Sequence, residues 1–95
     1  MEKNDFDKNL TSTVIVCGLS YNITTAHIDE IFSNFGRIED IELGCVKGHS
    51  SGKALVRYCT HGSALNAISQ MDHGNIDGNE ISVKLADPRK PISEY

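Results

Sequence analysis

Two quartets of apolar residues share one helical spacing. Ile28, Ile31, Phe32 and Phe35 fall at i, i+3, i+4 and i+7, and Ala64, Ala67, Ile68 and Met71 repeat the pattern with Leu65 beside them. Each quartet lines one stripe of a helix, and each stripe needs a surface to cover it. Asn22 or Thr24 offers the first helix a start, and Thr60 or Ser63 the second. Gly36 offers the first a stop.

The surface comes from four stretches that read as strands. Thr13 to Gly18 is β-branched and apolar, with Val14 and Val16 on one face and Ile15 and Cys17 on the other. Ile38 to Leu43 turns Ile41 and Leu43 inward and Asp40 and Glu42 outward. Gly52 to Cys59 puts Gly52, Ala54, Val56 and Tyr58 on one face and Lys53, Leu55 and Arg57 on the other. Ile81 to Leu85 is the last, and Pro88 and Pro91 discourage its extension. Gly44 to Ser51 reads as a polar loop, and Asp72 to Asn79, with Gly74 and Gly78, as a tight turn-rich connection. Residues 1–11 read as a disordered lead-in, 12–87 as the domain and 88–95 as a mobile tail. The order β-α-β-β-α-β predicts an α+β, ferredoxin-like sandwich, a four-stranded antiparallel sheet with both helices on one face.

Composition narrows what such a domain can do. Net charge is −4, and between Thr13 and Ala86 five basic residues face eight acidic ones. Affinity for polyanions by bulk charge is therefore excluded, because phosphate neutralisation drives that kind of binding. Any nucleic-acid contact must come from local placement. Cys17, Cys45 and Cys59 are odd in number and form no C-x-x-C pair, which fits reduced thiols. The histidines (27, 49, 61 and 73) are dispersed, without zinc-ligand spacing, and no G-x-S-x-G or triad-like context is present. No catalytic residue, metal or cofactor is expected. No run approaches the length of a membrane span.

The third strand carries a motif. Ser51-Gly52-Lys53-Ala54-Leu55-Val56-Arg57-Tyr58 resembles the eight-residue signature of the RNA recognition motif, Lys/Arg-Gly-Phe/Tyr-Gly/Ala-Phe-Val-x-Phe/Tyr. Val14 to Leu19 resembles the six-residue motif of that family's first strand, Gly36-Arg37-Ile38 the entry to its second, and Asp77 to Val83 the entry to its fourth. The match spans residues 13 to 87. Met71 to Ile81 and Glu30 to Ile38 are further similar to the subfamily of RNA-binding proteins with a serine-rich domain. The resemblance implies RNA processing, splicing or exon-junction-type assemblies, protein as well as RNA partners, and a nuclear address with the cytoplasm also open. A monomer is expected. Acylphosphatases share the ferredoxin-like layout, but Leu19 to Ile23 lacks the arginine and the glycines of their phosphate cradle.

The resemblance also marks a departure. The family's three ring positions hold Ile15, Lys53 and Leu55 here. The implied RNA-contacting set is Ile15, Cys17, Lys53, Leu55, Arg57 and Lys84, with Arg89 and Lys90 able to curl over the sheet. Binding of single-stranded RNA is expected to be weak, since each stacked base contributes roughly 1–3 kcal/mol. The alternative surface is the helical face, with Asp29, Glu30, Ser33, Asn66 and Gln70, as a site for a protein partner and no direct RNA contact.

Overall fold

Both expected helices form, and a threonine starts each. In the computed structural model, which describes residues 11–46, 49–87 and 89–95, helix α1 spans Thr25–Phe32 and continues as a 3-10 turn over Ser33–Phe35. The Thr24 hydroxyl accepts the N–H of His27 at 3.2 Å. Helix α2 spans His61–Met71, and the Thr60 hydroxyl accepts the N–H of Ser63 at 3.1 Å. Of the two candidates at each start, the structure uses the threonine, whose backbone is extended in both cases.

The main strands are β1 (Thr13–Cys17), β2 (Ile38–Val46), β3 (His49–Tyr58) and β6 (Ser82–Leu85). They form an antiparallel sheet in the order β2-β3-β1-β6. The expected fold class is therefore observed. A small hairpin, β4 (Asn75–Ile76) with β5 (Asn79–Glu80), precedes β6. Asp77 and Gly78 both take positive φ at its corner, as a two-residue hairpin requires.

The core lies between the helices and one face of the sheet. Val14, Val16, Ala54, Val56, Tyr58 and Val83 meet Ile28, Phe32, Ala64 and Ala67, and all are inaccessible to solvent. The alternation expected in each strand thus holds on this side. Tyr58 ends β3 and donates its hydroxyl to the Phe32 carbonyl at 2.8 Å. That bond fixes the end of α1 to the sheet, and burial pushes the phenol's pKa well above its usual value. Leu65 faces outward on α2, 45% exposed.

One expectation needs correction. Gly44 to Ser51 is not a loop. Pairing continues through Cys45↔Ser50 and Val46↔His49, so only residues 47 and 48, outside the described residues, separate the strands. Backbone ladders need no apolar side chains, so a polar hairpin at the sheet edge was invisible to hydropathy. Of the lead-in, only Thr11 lies within the described residues; it is buried, and its hydroxyl donates to the Ala86 carbonyl at 3.3 Å.

Candidate nucleic-acid interface

The sheet face away from the helices is assembled in rows by the register. One row runs Glu42, Leu55, Ile15, Lys84 across β2, β3, β1 and β6. A second runs Lys53, Cys17, Ser82, and a third Asp40, Arg57, Thr13. The structure therefore brings together Ile15, Cys17, Lys53, Leu55, Arg57 and Lys84. Leu55 and Ile15 form an apolar centre, with Lys53, Arg57 and Lys84 around it. Lys53 and Leu55 are half-buried, whereas Arg57 and Lys84 are exposed.

The cations differ in what already holds them. Arg57 Nε lies 3.5 Å from Glu39 Oε1, with both side chains about half exposed. The ladder slips register between Ile38 and Asp40, and Glu39 is the carboxylate that reaches the guanidinium. An ion pair this exposed contributes at most about 1 kcal/mol, so a phosphate can compete for Arg57. Asp40 and Glu42 line a shallow depression with Thr13, Leu55 and Arg57. Lys84 makes no ion pair among the described residues.

Residues 89–95 cross this face. Asp87 holds Arg89 in a fork, Nε to Oδ1 at 3.1 Å and Nη2 to Oδ2 at 3.2 Å. The hydrogen bond from the Arg89 side chain is the main reason the Asp87 carboxyl sits below its ordinary pKa. Lys90 Nζ lies 4.5 Å from the centre of the Tyr95 ring. The Tyr95 hydroxyl accepts the Asp87 N–H at 2.7 Å, and the Lys53 ammonium donates to the Tyr95 carbonyl oxygen. A short 3-10 turn, Ile92–Glu94, lies against β2 and β3, and a Cβ added to Gly44 would sit 3.4 Å from Ile92 Cδ1. Ile15 is only 5% exposed although it points away from the helices. Its cross-strand neighbours on that side are Leu55 and Lys84. Arg89 and Lys90 thus do fold back, but toward Asp87 and Tyr95. Neither Glu39 nor Tyr95 was legible as part of this surface.

On the helical face Asp29, Glu30, Ser33, Asn66 and Gln70 are all exposed. Asn66 is already engaged, donating Nδ2 to the Phe35 carbonyl at 3.3 Å and so tying α2 to the end of α1. Asp29 also lines an open groove of about 450 Å³ between α1 and β2, where Glu39 and Asp40 join it. The described cysteines are free, and the described residues contain no cluster of three or more metal-ligating side chains. No described helix is long and apolar enough to cross a membrane.

The family model of the RNA recognition motif matches residues 14–82. The chain belongs to the RNA recognition motif (RRM) family. That family comprises RNA-binding modules rather than enzymes. Among curated relatives, this RRM is 36% identical over 96 residues to the male determiner protein Nix of Aedes aegypti, covering 94% of the chain and 33% of Nix. It is 33% identical to the RNA-binding protein with serine-rich domain 1 homolog of Schizosaccharomyces pombe, over 77% of the chain and 31% of the relative. It is 40% identical to RNA-binding protein with serine-rich domain 1 of Danio rerio, over 67% of the chain and 24% of the relative. The chain thus spans about a third or less of each relative. Among solved structures, the RNA15 RRM superposes with a TM-score of 0.81 at 16% identity, covering 84% of this chain and 94% of that one. The Sxl-lethal protein in complex with RNA gives 0.76 at 29% identity, covering 90% of this RRM and 53% of that chain.

Proposed function

We propose that this RRM binds single-stranded RNA weakly through its outer sheet face, within a nuclear RNA-processing assembly, with the cytoplasm as a second compartment. The observation that carries the reading is the Ile15–Leu55 centre flanked by Lys53, Arg57 and Lys84 on the open face of an RRM sheet. Leu55 and Ile15 offer apolar contact to bases, and the cations offer phosphate contacts. Weakness follows from chemistry. With Ile15, Lys53 and Leu55 at the ring positions, each lost stacking contact removes roughly 1–3 kcal/mol. The Tyr95 carbonyl on Lys53 and Glu39 on Arg57 compete with phosphate. Segment 89–95 leaves the face when RNA arrives. The relatives named for RNA binding and a serine-rich domain support the RNA-processing setting, and the domain acts as a monomer. Amide shifts followed during titration with short single-stranded RNAs at low salt test this. Movement at positions 15, 53, 55, 57 and 84 is expected; no movement there at any RNA concentration contradicts it.

A second reading rests on one observation, the groove lined by Asp29, Glu39 and Asp40. Three carboxylates beside an apolar floor suit a basic peptide of a protein partner, with no direct RNA contact. Pull-down from RNase-treated extract separates the readings. A partner retained after RNase and lost on Asp29→Lys supports the protein-binding one, and a partner lost on RNase treatment argues against it.

A further inference from the structure

Tyr21 is 72% exposed and is the largest apolar side chain left open to solvent among the described residues. It does not belong to the sheet. It sits at the corner of a turn closed by the Ile23 N–H on the Ser20 carbonyl at 3.3 Å. Leu19 and Ile23, each 4% exposed, anchor the turn on either side. The ring is therefore held out from a pinned base, at little further entropic cost to a ligand that uses it.

Two glycines position that turn. Gly18 has φ of +93°, and a Cβ there would lie 2.5 Å from the Glu80 carbonyl oxygen. Gly52 has φ of +84°, and a Cβ there would lie 3.1 Å from the Leu19 carbonyl oxygen, while the Leu19 N–H donates to the Gly52 carbonyl at 3.0 Å. Only glycine combines that backbone with so close an approach. The result draws the turn, the start of β3 and the β5 strand around an open cleft of about 540 Å³. Its volume lies within the range of roughly 300–1,000 Å³ typical of small-ligand sites.

The lining has a definite chemistry. Tyr21 supplies an aromatic face, Lys53 a cation, and Asn22 and Asn79 amides that both donate and accept. Ser20 Oγ is buried beside it with no hydrogen-bond partner among the described residues. Among the described residues no carboxylate lines the cleft, although the chain carries a net charge of −4. The nearby Glu80 carboxylate lies 3.4 Å from His73 Nδ1. A ring to stack on, a cation, and side-chain amides beside it match one base of a single strand and its phosphate.

We infer that the cleft around Tyr21 and Lys53 is a nucleotide site, where one base of single-stranded RNA stacks on the Tyr21 ring and its phosphate meets Lys53. The inference rests on the RNA-binding reading above and adds to it a ring from outside the sheet. The Asn22 and Asn79 amides contact the base edge.

The test is a titration of the whole chain, its Tyr21→Ala and its Tyr21→Phe variants with a single-stranded RNA heptamer at low salt. Affinity is followed by fluorescence anisotropy, and amide and Tyr21 ring-proton shifts by NMR. Tyr21→Ala is expected to weaken binding about fivefold or more, and Tyr21→Phe to retain it. Tyr21 ring protons are expected to move upfield, with shifts at positions 20, 22 and 79. Tyr21 is solvent-exposed, so an unchanged Tyr21→Ala spectrum outside the cleft verifies its fold. Shifts confined to positions 15, 55, 57 and 84, with Tyr21→Ala binding as tightly as the parent, overturn this inference and leave the RNA-binding reading standing. No RNA-dependent shift anywhere overturns both.

Discussion

The two faces of β3 put one eight-residue motif to different uses. On the inner face Gly52, Ala54, Val56 and Tyr58 are buried; the helices above dictate the last three, and the Leu19 carbonyl close beside it restricts Gly52. On the outer face Lys53 and Leu55 are half-buried and Arg57 is exposed, and nothing in the packing demands those residue types. Two of the three are held by weak, replaceable partners, Lys53 by the Tyr95 carbonyl and Arg57 by Glu39. Close-packed positions tolerate little change, while open ones can shift from rings to cations with no cost to the fold. This is how an RRM can keep its frame and lose its stacking platform.

That contrast can be broken at several points. Tyr58→Ala should cause the largest change, a loss of about 3–5 kcal/mol of stability in urea unfolding, since it empties a fully buried aromatic site and frees the Phe32 carbonyl. Arg57→Ala, at the next outward position, should alter stability by less than about 1 kcal/mol in the same assay. Removal of residues 89–95 should come next, read in RNA affinity instead. Lys53 becomes open without a segment to displace, so binding should tighten a few-fold while the melting temperature changes little.

The smallest effect is a pH dependence. Asp87 has its pKa lowered in the folded chain, chiefly by the Arg89 hydrogen bond. Its contribution is therefore present above the ordinary aspartate pKa of about 3.9 and is lost as pH falls through the lower folded value. The crossing segment should loosen only in that acidic window, seen as loss of the Arg89 and Tyr95 chemical-shift dispersion while core signals persist. Loosening near neutral pH would mean that another group holds the segment.

Most of the fold was legible in the sequence because periodicity reports directly on which side of an element is covered. The stripes at Ile28 to Phe35 and at Ala64 to Met71, and the alternation through Val14 to Val16 and Ala54 to Tyr58, all reflect burial. The outer-face residues were legible for the same reason, as the other half of the alternation. Their partners were not. Glu39 reaches Arg57 through a slip in the ladder, which no hydropathy pattern marks. The Lys53–Tyr95 contact joins residues 42 apart in sequence, through a segment whose prolines and charges signalled only that the strand had ended. Tyr21 was hidden in a connection between elements, where an aromatic ring carries no periodic signal.

The central claim is that the outer face of β3 is a single-stranded RNA platform weakened by its missing rings. Leu55→Phe tests it most directly, because it restores one ring at a half-buried outer position and leaves every cation in place. The measurement is the dissociation constant for a single-stranded RNA heptamer at low salt, parent against variant. The account predicts binding about fivefold tighter or more, at an unchanged melting temperature. An affinity that stays the same in a folded variant would contradict it.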